Sequence, residues 1–306
     1  MVQIVLIGLG AGVAAALLFA SVVSGSFAAI FLFYLAPLPI LIAALGWSQW
    51  AGLIAASSAA LAIGVMSGTF FISVSVIAFG AWWLGYLALL ARPTANGGGD
   101  SLEWYPVGRL VLWAALLGTL IVIAAIPNFG TDQQSLQAGL RKIYERLLRD
   151  QSVIDMLVVA VPPAAAVFST ITNVFNLWLA GRIVKVSGRL KRPWPDLSAM
   201  TLPVSAMVTL AAAIGGFFLP DLIGVLSGVL AASLLMAFAI LGYAVLHAIT
   251  RGIRSRILLL TGAYAAAIVF FWPILAVAIL GLAETAFNIR GQLASRRGPP
   301  PPTLRT

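Results

Sequence analysis

The sequence predicts an all-α fold, a polytopic transmembrane helix bundle with about 8–10 membrane segments and one amphipathic surface helix. Of its 306 residues, 61% are hydrophobic and only 9% are charged. About a quarter of the residues in a soluble domain are charged, so this composition indicates a membrane protein. The net charge is +9, and the basic residues lie in short clusters between apolar runs. That pattern is typical of cytoplasmic loops and argues against nucleic-acid binding.

Long apolar runs, separated by short polar breaks, define the predicted membrane segments. The runs occupy residues 2–24, 27–45, 48–66, 68–91, 106–126, 153–180, 199–217, 220–250 and 255–288. The first run lacks a basic start and is too long for the apolar region of a signal peptide. We therefore interpret it as a retained first helix.

Polar and charged segments divide and orient the chain. We assign 1–91 to an N-terminal four-segment transmembrane bundle, 92–105 to a polar, glycine-rich cytoplasmic linker, 106–290 to a C-terminal transmembrane bundle, and 291–306 to a basic, proline-rich cytoplasmic tail. Residues 182–192 carry five basic side chains and no acidic one, which predicts a cytoplasmic position. Counting crossings from this segment places the N-terminus in the cytoplasm, and it places the C-terminus there as well if the last apolar run crosses twice.

The last apolar run, residues 255–288, can cross the membrane once or twice. A single crossing would place Arg290 and the basic tail outside, against the usual charge bias. A turn at Trp272 and Pro273 would give two short helices and return the tail to the cytoplasm. We favour the turn, which gives ten crossings, and keep the single crossing as the alternative.

Residues 132–150 differ in kind from the apolar runs. Leucine, isoleucine and tyrosine recur there at helical spacing, and basic and acidic residues cover the other side. This pattern predicts an amphipathic helix lying along the membrane surface. A helix that docks a partner protein is the alternative.

Small residues form a stripe on the first helix. Gly8, Gly12, Ala16 and Ala20 follow one another at steps of four residues. Nothing protrudes from such a stripe, so another helix can approach it closely. The partner is either a helix of the same chain or a separate membrane subunit.

Two polar or irregular features interrupt apolar sequence elsewhere. Pro37 and Pro39 predict either a discontinuous helix beside a binding site or a bent helix entering the membrane. Farther along, Ser169, Thr172, Asn173 and Asn176 share one helical face. Buried amides need hydrogen-bond partners, so this face predicts either interhelical bonds or a substrate-binding pocket for a polar ligand.

Two ionisable residues near the cytoplasmic ends of predicted membrane helices suggest a polar pair. His247 and Glu284 should lie at similar depth on different helices, each roughly 6–9 Å inside the boundary. Six residues separate Glu284 from Arg290, which is too far for a pair on one continuous helix. A His247–Glu284 pair is one possibility, serving either as a structural tie or as a proton relay. Contact of Glu284 with Arg251 or Arg254 is the alternative.

The sequence contains no recognisable catalytic or metal-binding motif. It has no cysteine and one histidine, which excludes disulfides, thiolate catalysis and multi-histidine metal centres. No P-loop, zinc-protease or serine-elbow signature occurs. We expect a protein that is not an enzyme, with no catalytic residues, no cofactor and no bound metal.

Two stretches, "LGYAVLHAITR" at 241–251 and "LGLAETAFNIR" at 280–290, resemble the closing helices of the YybS-like family of bacterial membrane proteins. The matching residues are Gly242, Ala244, His247, Gly281, Leu282, Glu284, Phe287 and Arg290, with glutamate at 284 where aspartate is usual. "PLPI" at 37–40 is also similar to the family. The resemblance implies a multi-pass protein of the bacterial inner membrane.

That family is in turn distantly similar to the substrate-binding subunits of energy-coupling-factor transporters, which use a separate ATPase. The resemblance thus implies a transport-related subunit that binds a small molecule and lacks an ATPase of its own. Its partners would be the lipid bilayer and other membrane subunits docked on the first helix. The alternative function is a scaffold or assembly partner for other membrane proteins. A binder needs the polar face at 169–176 to line a cavity, whereas a scaffold buries it.

Overall fold

The computed structural model describes residues 1–66, 68, 71–94 and 102–296, and it confirms the all-α bundle. The helices are α1 (Val2–Ala20), α2 (Phe27–Leu35), α3 (Pro37–Gly46), α4 (Gln49–Met66), α5 (Phe71–Ala88), α6 (Val107–Ala125), α7 (Gln133–Tyr144), α8 (Gln151–Val186), α9 (Val204–Phe217), α10 (Asp221–Ile249), α11 (Arg256–Phe270), α12 (Pro273–Phe287) and α13 (Ile289–Arg296). Residues 95–101 of the predicted linker and 297–306 of the tail lie outside the described residues.

Within the described ranges, seven helical spans are long and apolar enough to cross a membrane. Three shorter apolar helices, α9, α11 and α12, accompany them. Together they agree with the predicted 8–10 membrane segments. A short antiparallel pair, β1 (Ala91–Pro93) and β2 (Leu102–Trp104), forms at the two ends of the predicted linker, and Arg92 makes an exposed ion pair there with Glu103.

The small-residue stripe of α1 packs against α4 of the same chain. A Cβ added at Gly8 would lie 2.8 Å from the Cβ of Ile54, and one at Gly12 would lie 2.7 Å from the Ala55 carbonyl oxygen. Ala16 is buried and Ala20 is half-buried. Packing within the same chain is therefore observed at Gly8 and Gly12, where α4 covers the stripe, and docking of a separate subunit stays a prediction. The other face of α1 carries the exposed side chains.

The prolines at 37 and 39 bend the second span without unwinding it. Helix α2 ends at Leu35 and α3 begins with Pro37, but Ala36 between them keeps right-handed helical backbone angles, φ −57° and ψ −32°. Proline lacks the backbone donor that a continuous helix would use there. The helix is thus interrupted at Ala36, and Pro37 borders a small cavity, so both alternatives stay open.

The predicted surface helix is shorter than expected. It ends at Tyr144, not at residue 150. Asp150 accepts backbone N–H bonds from Ser152 and Val153 and so caps a new helix, α8, and residues 145–149 join the two helices. On the apolar face of α7, Leu136 and Leu140 are buried in a cluster with side chains of α8. That face therefore covers the end of the bundle.

Residues 255–288 form a helical hairpin, as the favoured alternative predicted. Helix α11 ends at Phe270, and α12 begins with Pro273. Side chains of Arg251, just after α10, and Arg290, just after α12, both contact Ser198. Helices α10 and α12 therefore end at the same end of the bundle. Helix α11, which joins them in the chain, runs in the opposite direction.

Glycines allow α10 and α12 to pack in direct backbone contact. A Cβ on Gly242 would overlap the backbone of Val277, and one on Gly281 would overlap the backbone of Phe238. Such contacts are typical of membrane helices, where close packing replaces the hydrophobic effect as the source of association. This pair and α9 pack around a core centred on Leu234, Phe238 and Leu241.

We expect Gly12→Leu to destabilise the protein by about 1–3 kcal/mol, because the new side chain would push α1 away from α4. The measurement is the unfolding temperature of the purified protein in a mild detergent. Gly10→Leu is the matched control. Gly10 lies two residues away on the same helix, and a Cβ added there would have open space around it. Equal unfolding temperatures for the two variants would contradict the packing described.

Candidate functional site

A large cavity lies between α6, α8, α10, α11 and the segment that joins α8 to α9. Its volume is about 1050 Å³. Most of its wall is apolar, with side chains such as Leu110, Phe175, Trp178 and Ile240, while polar groups gather where the α8–α9 segment and the C-terminal end of α10 meet. The cavity therefore has an apolar body and a polar end.

The α8–α9 segment is held in place by contacts of its own side chains. Trp194 lies beneath the cationic groups of Arg182 and Lys185, at 5.3 and 5.1 Å from the ring centroid. Arg192 donates a 3.2 Å hydrogen bond to the Ala88 carbonyl oxygen at the end of α5. These contacts fix residues 192–194 over the end of α8 and make them a wall of the cavity.

Asp196 is the acidic residue of this wall. The hydroxyl and backbone N–H of Ser198 donate to its carboxylate, and with a smaller contribution from Arg251 they hold the pKa of Asp196 below its ordinary value. Arg251 also donates to both carboxylate oxygens at 3.3 Å. Asp196 is therefore ionised at neutral pH, and its charge offsets that of Arg251.

Aromatic and histidine side chains link α10 to α11 across the polar end. The rings of Tyr243 and Tyr264 stack with centroids 4.5 Å apart and planes 4° apart. The Tyr264 hydroxyl also lies 3.1 Å from His247 Nε2, within hydrogen-bonding distance. These contacts place Tyr264 and the imidazole of His247 beside the cavity.

The positive charge of the polar end exceeds its negative charge. Arg192, Arg251 and Arg256 line the cavity, against one lining aspartate, Asp196. Among the described residues, neither Arg192 nor Arg256 makes an ion pair. Nε of Arg256 is buried, and no described residue accepts a hydrogen bond from it. An unpaired buried donor of this kind is costly, so the arrangement favours an anionic group in the cavity.

Glu284 pairs with Arg290, and the predicted His247–Glu284 pair is wrong. The Arg290 Nε donates to Glu284 Oε1 at 2.8 Å, and its backbone N–H donates to Oε2 at 3.1 Å. This is possible because α12 ends at Phe287 and Asn288 adopts a left-handed conformation, φ 49° and ψ 58°. The chain turns back there, so the spacing rule for a continuous helix does not apply.

The same arginine anchors the cavity wall. The Arg290 guanidinium donates to the backbone carbonyl oxygens of Ser198 and Met200, the latter at 2.7 Å. Both members of the ion pair are largely buried, with the Glu284 side chain 4% exposed. Glu284 therefore orients Arg290, and Arg290 fixes residues 198–200 at the polar end of the cavity.

The polar face predicted on α8 lies away from this cavity. Asn173 donates to the Ala114 carbonyl oxygen of α6 at 3.2 Å, and Asn176 donates to the Tyr34 carbonyl oxygen of α2 at 2.8 Å. Asn176 thereby supplies a donor where the proline bend interrupts the helix ladder. Ser169, Thr172 and Asn173 border a smaller cavity of about 270 Å³. The interhelical-bond alternative is observed for both asparagines.

Sequence reasoning found His247 but missed most other polar residues of the large cavity. Arg192, Arg251 and Arg256 belong to basic clusters, which indicate the cytoplasmic side but not a cavity. Trp194 lies between two prolines, at 193 and 195, and this motif could have indicated a structured segment. In the described part of the chain, no group of three or more histidine, aspartate or glutamate side chains could hold a metal ion.

We expect Asn176→Ala to lower the free energy of unfolding by about 1 kcal/mol, the usual scale of an interhelical hydrogen bond in a membrane. Thermal unfolding in detergent measures the effect. Ser169→Ala is the control, because Ser169 lies on the same face without a hydrogen bond among the described residues. An Asn176→Ala variant as stable as Ser169→Ala would show that the bond at the bend contributes nothing.

Glu284→Gln should destabilise the protein by about 3–5 kcal/mol, because it leaves the buried Arg290 without its counter-charge. The control is Glu103→Gln, which breaks the exposed pair with Arg92 and should cost at most about 1 kcal/mol. Chemical denaturation followed by tryptophan fluorescence compares the two. The prediction fails if both variants unfold at the same denaturant concentration.

No family model, curated protein or solved structure matches this chain. The resemblance of 241–251 and 280–290 to the YybS-like family stays a prediction.

Proposed function

We propose that this protein binds a small molecule in the large cavity, as a transport-related membrane subunit without an ATPase or catalytic activity of its own. The observation that carries the proposal is the cavity itself, with a volume of about 1050 Å³, apolar walls and converging polar groups at one end. Ligand sites typically occupy about 300–1,000 Å³ and combine apolar walls with a few polar groups in this way.

The charge distribution supports an orientation for this site. Residues 182–192 and the arginines at 251, 254 and 256 lie near the polar end of the cavity. Basic segments next to membrane helices favour the cytoplasmic side. We propose that the polar end faces the cytoplasm of a bacterial cell, that the protein resides in the inner membrane, and that both termini are cytoplasmic.

The scaffold alternative has less support. Its main argument was a free small-residue stripe on α1, and α4 covers that stripe at Gly8 and Gly12. The amphipathic helix α7 also buries its apolar leucines against the same chain. Neither feature leaves an obvious surface for another subunit, so ligand binding is the function that the geometry favours.

We expect at least one compound in a screen of vitamins, carboxylates, phosphates and anionic amphiphiles to raise the unfolding temperature of the purified protein. A ligand at 100 times its Kd stabilises the folded state by about 2.7 kcal/mol. Ala244→Trp should abolish this shift, because Ala244 lines the cavity and the indole would fill part of it. Differential scanning fluorimetry with and without each compound is the measurement.

Ala212→Trp is the matched control for that substitution. Ala212 lies on the exposed side of α9 and is not among the cavity-lining residues. This variant should keep the full shift. The proposal is contradicted if no compound stabilises the wild-type protein, or if Ala244→Trp responds as strongly as the wild type.

A further inference from the structure

The cavity combines unpaired positive charge with a long apolar surface. Arg192 and Arg256 are without an ion pair among the described residues, and the Nε of Arg256 lacks any hydrogen-bond partner. Burial lowers the pKa of Arg192, but a guanidinium stays protonated at neutral pH. An oxyanion would supply a counter-charge for both arginines and an acceptor for the Arg256 Nε, and arginine binds phosphate and carboxylate well.

The apolar part of the cavity runs along α8. Ile171, Phe175 and Trp178 recur at helical spacing on one face and line the cavity. Their side chains are 40%, 47% and 44% exposed, respectively. A strip of exposed apolar side chains leading to a cationic end is complementary to a hydrocarbon chain with an anionic head.

The cavity is weakly closed on the side of α11. In the part of the chain that the structure describes, the closest packing of α11 is with α12, and Ala267 is its only buried residue. Tyr264 bridges to α10 through its contacts with Tyr243 and His247. Side chains along α11, such as Ile257, Leu258 and Ile268, are largely exposed. A molecule dissolved in the bilayer can therefore approach the cavity beside α11.

Building on the proposed function, we propose that the ligand is an anionic amphiphile, a phosphate or carboxylate carried on one hydrocarbon chain. Arg256 and Arg192 bind the oxyanion, beside His247 and Tyr264. The chain lies along the strip formed by Ile171, Phe175 and Trp178. The molecule enters from the bilayer between α11 and the rest of the bundle.

A water-soluble metabolite fits these observations less well. It would require polar partners along the length of the cavity, because burying a polar group without a hydrogen bond is unfavourable. The polar side chains gather at one end, and the remaining wall is apolar. One charged group attached to one apolar chain matches this division.

The test uses the full-length protein in a neutral maltoside detergent, with dodecyl phosphate and dodecanoate as probes. Dodecanol, which has the same chain without the charge, and inorganic phosphate, which has the charge without the chain, separate the two contributions. Thermal unfolding and native mass spectrometry measure binding. We expect both anionic amphiphiles to bind at least tenfold more tightly than dodecanol, and we expect inorganic phosphate alone to give no shift.

Substitutions then locate the head group. Arg256→Gln and Arg192→Gln should each weaken dodecyl phosphate binding by about tenfold, corresponding to loss of one charge-assisted hydrogen bond. Arg254→Gln is the matched control, because Arg254 is an exposed arginine two residues away that does not line the cavity. Its affinity for dodecyl phosphate should equal that of the wild type.

The outcomes separate the amphiphile proposal from the broader proposal that the cavity binds a small molecule. If a water-soluble vitamin gives a shift that Ala244→Trp abolishes and the amphiphiles give none, the cavity is a ligand site and the amphiphile assignment is overturned. If Arg256→Gln, Arg192→Gln and Arg254→Gln bind dodecyl phosphate equally, the head-group site is wrong. If nothing in either set binds, both proposals fail.

Discussion

The ion pair between Glu284 and Arg290 is the interaction on which the arrangement of the polar end depends. Arg290 binds the carbonyl oxygens of Ser198 and Met200, so the pair connects the end of α12 to the segment between α8 and α9. Arg251 reaches the same segment through Asp196 and Ser198. Two helix ends thus converge on a few residues of irregular backbone and hold them as a wall.

Helix α8 separates two environments within the bundle. Its asparagines at 173 and 176 face α6 and α2 and donate to backbone carbonyl oxygens. Its aromatic side chains at 175 and 178 line the large cavity instead. The two asparagines of this helix therefore serve the internal hydrogen bonding of the bundle, while its aromatic residues form part of the candidate ligand surface. That division reverses the usual expectation that polar intramembrane residues mark the binding site.

The sequence was sufficient to predict the helical membrane bundle, because composition and run length follow directly from the properties of the bilayer. It also predicted the hairpin at Trp272–Pro273, because charge bias made the single crossing unfavourable. The Glu284–Arg290 pair could not be predicted, since it requires a left-handed Asn288 that breaks the helical spacing. The cavity could not be predicted either. It is formed by residues far apart in the chain, such as Arg192, Tyr264 and Arg256, which only the packing of α8, α10 and α11 brings together.

Helix α8 is too long to lie entirely within the hydrocarbon core of a membrane. Its 36 residues extend about 54 Å at 1.5 Å per residue, well beyond a hydrocarbon core of about 30 Å. Even a tilt of about 40° leaves part of the helix outside that core. Helix α7 packs on the first turns of α8 and is joined to it by the Arg141–Asp155 ion pair. We expect this charged α7–α8 corner to lie outside that core, where an antibody fragment could bind it and enlarge this largely apolar protein for electron microscopy.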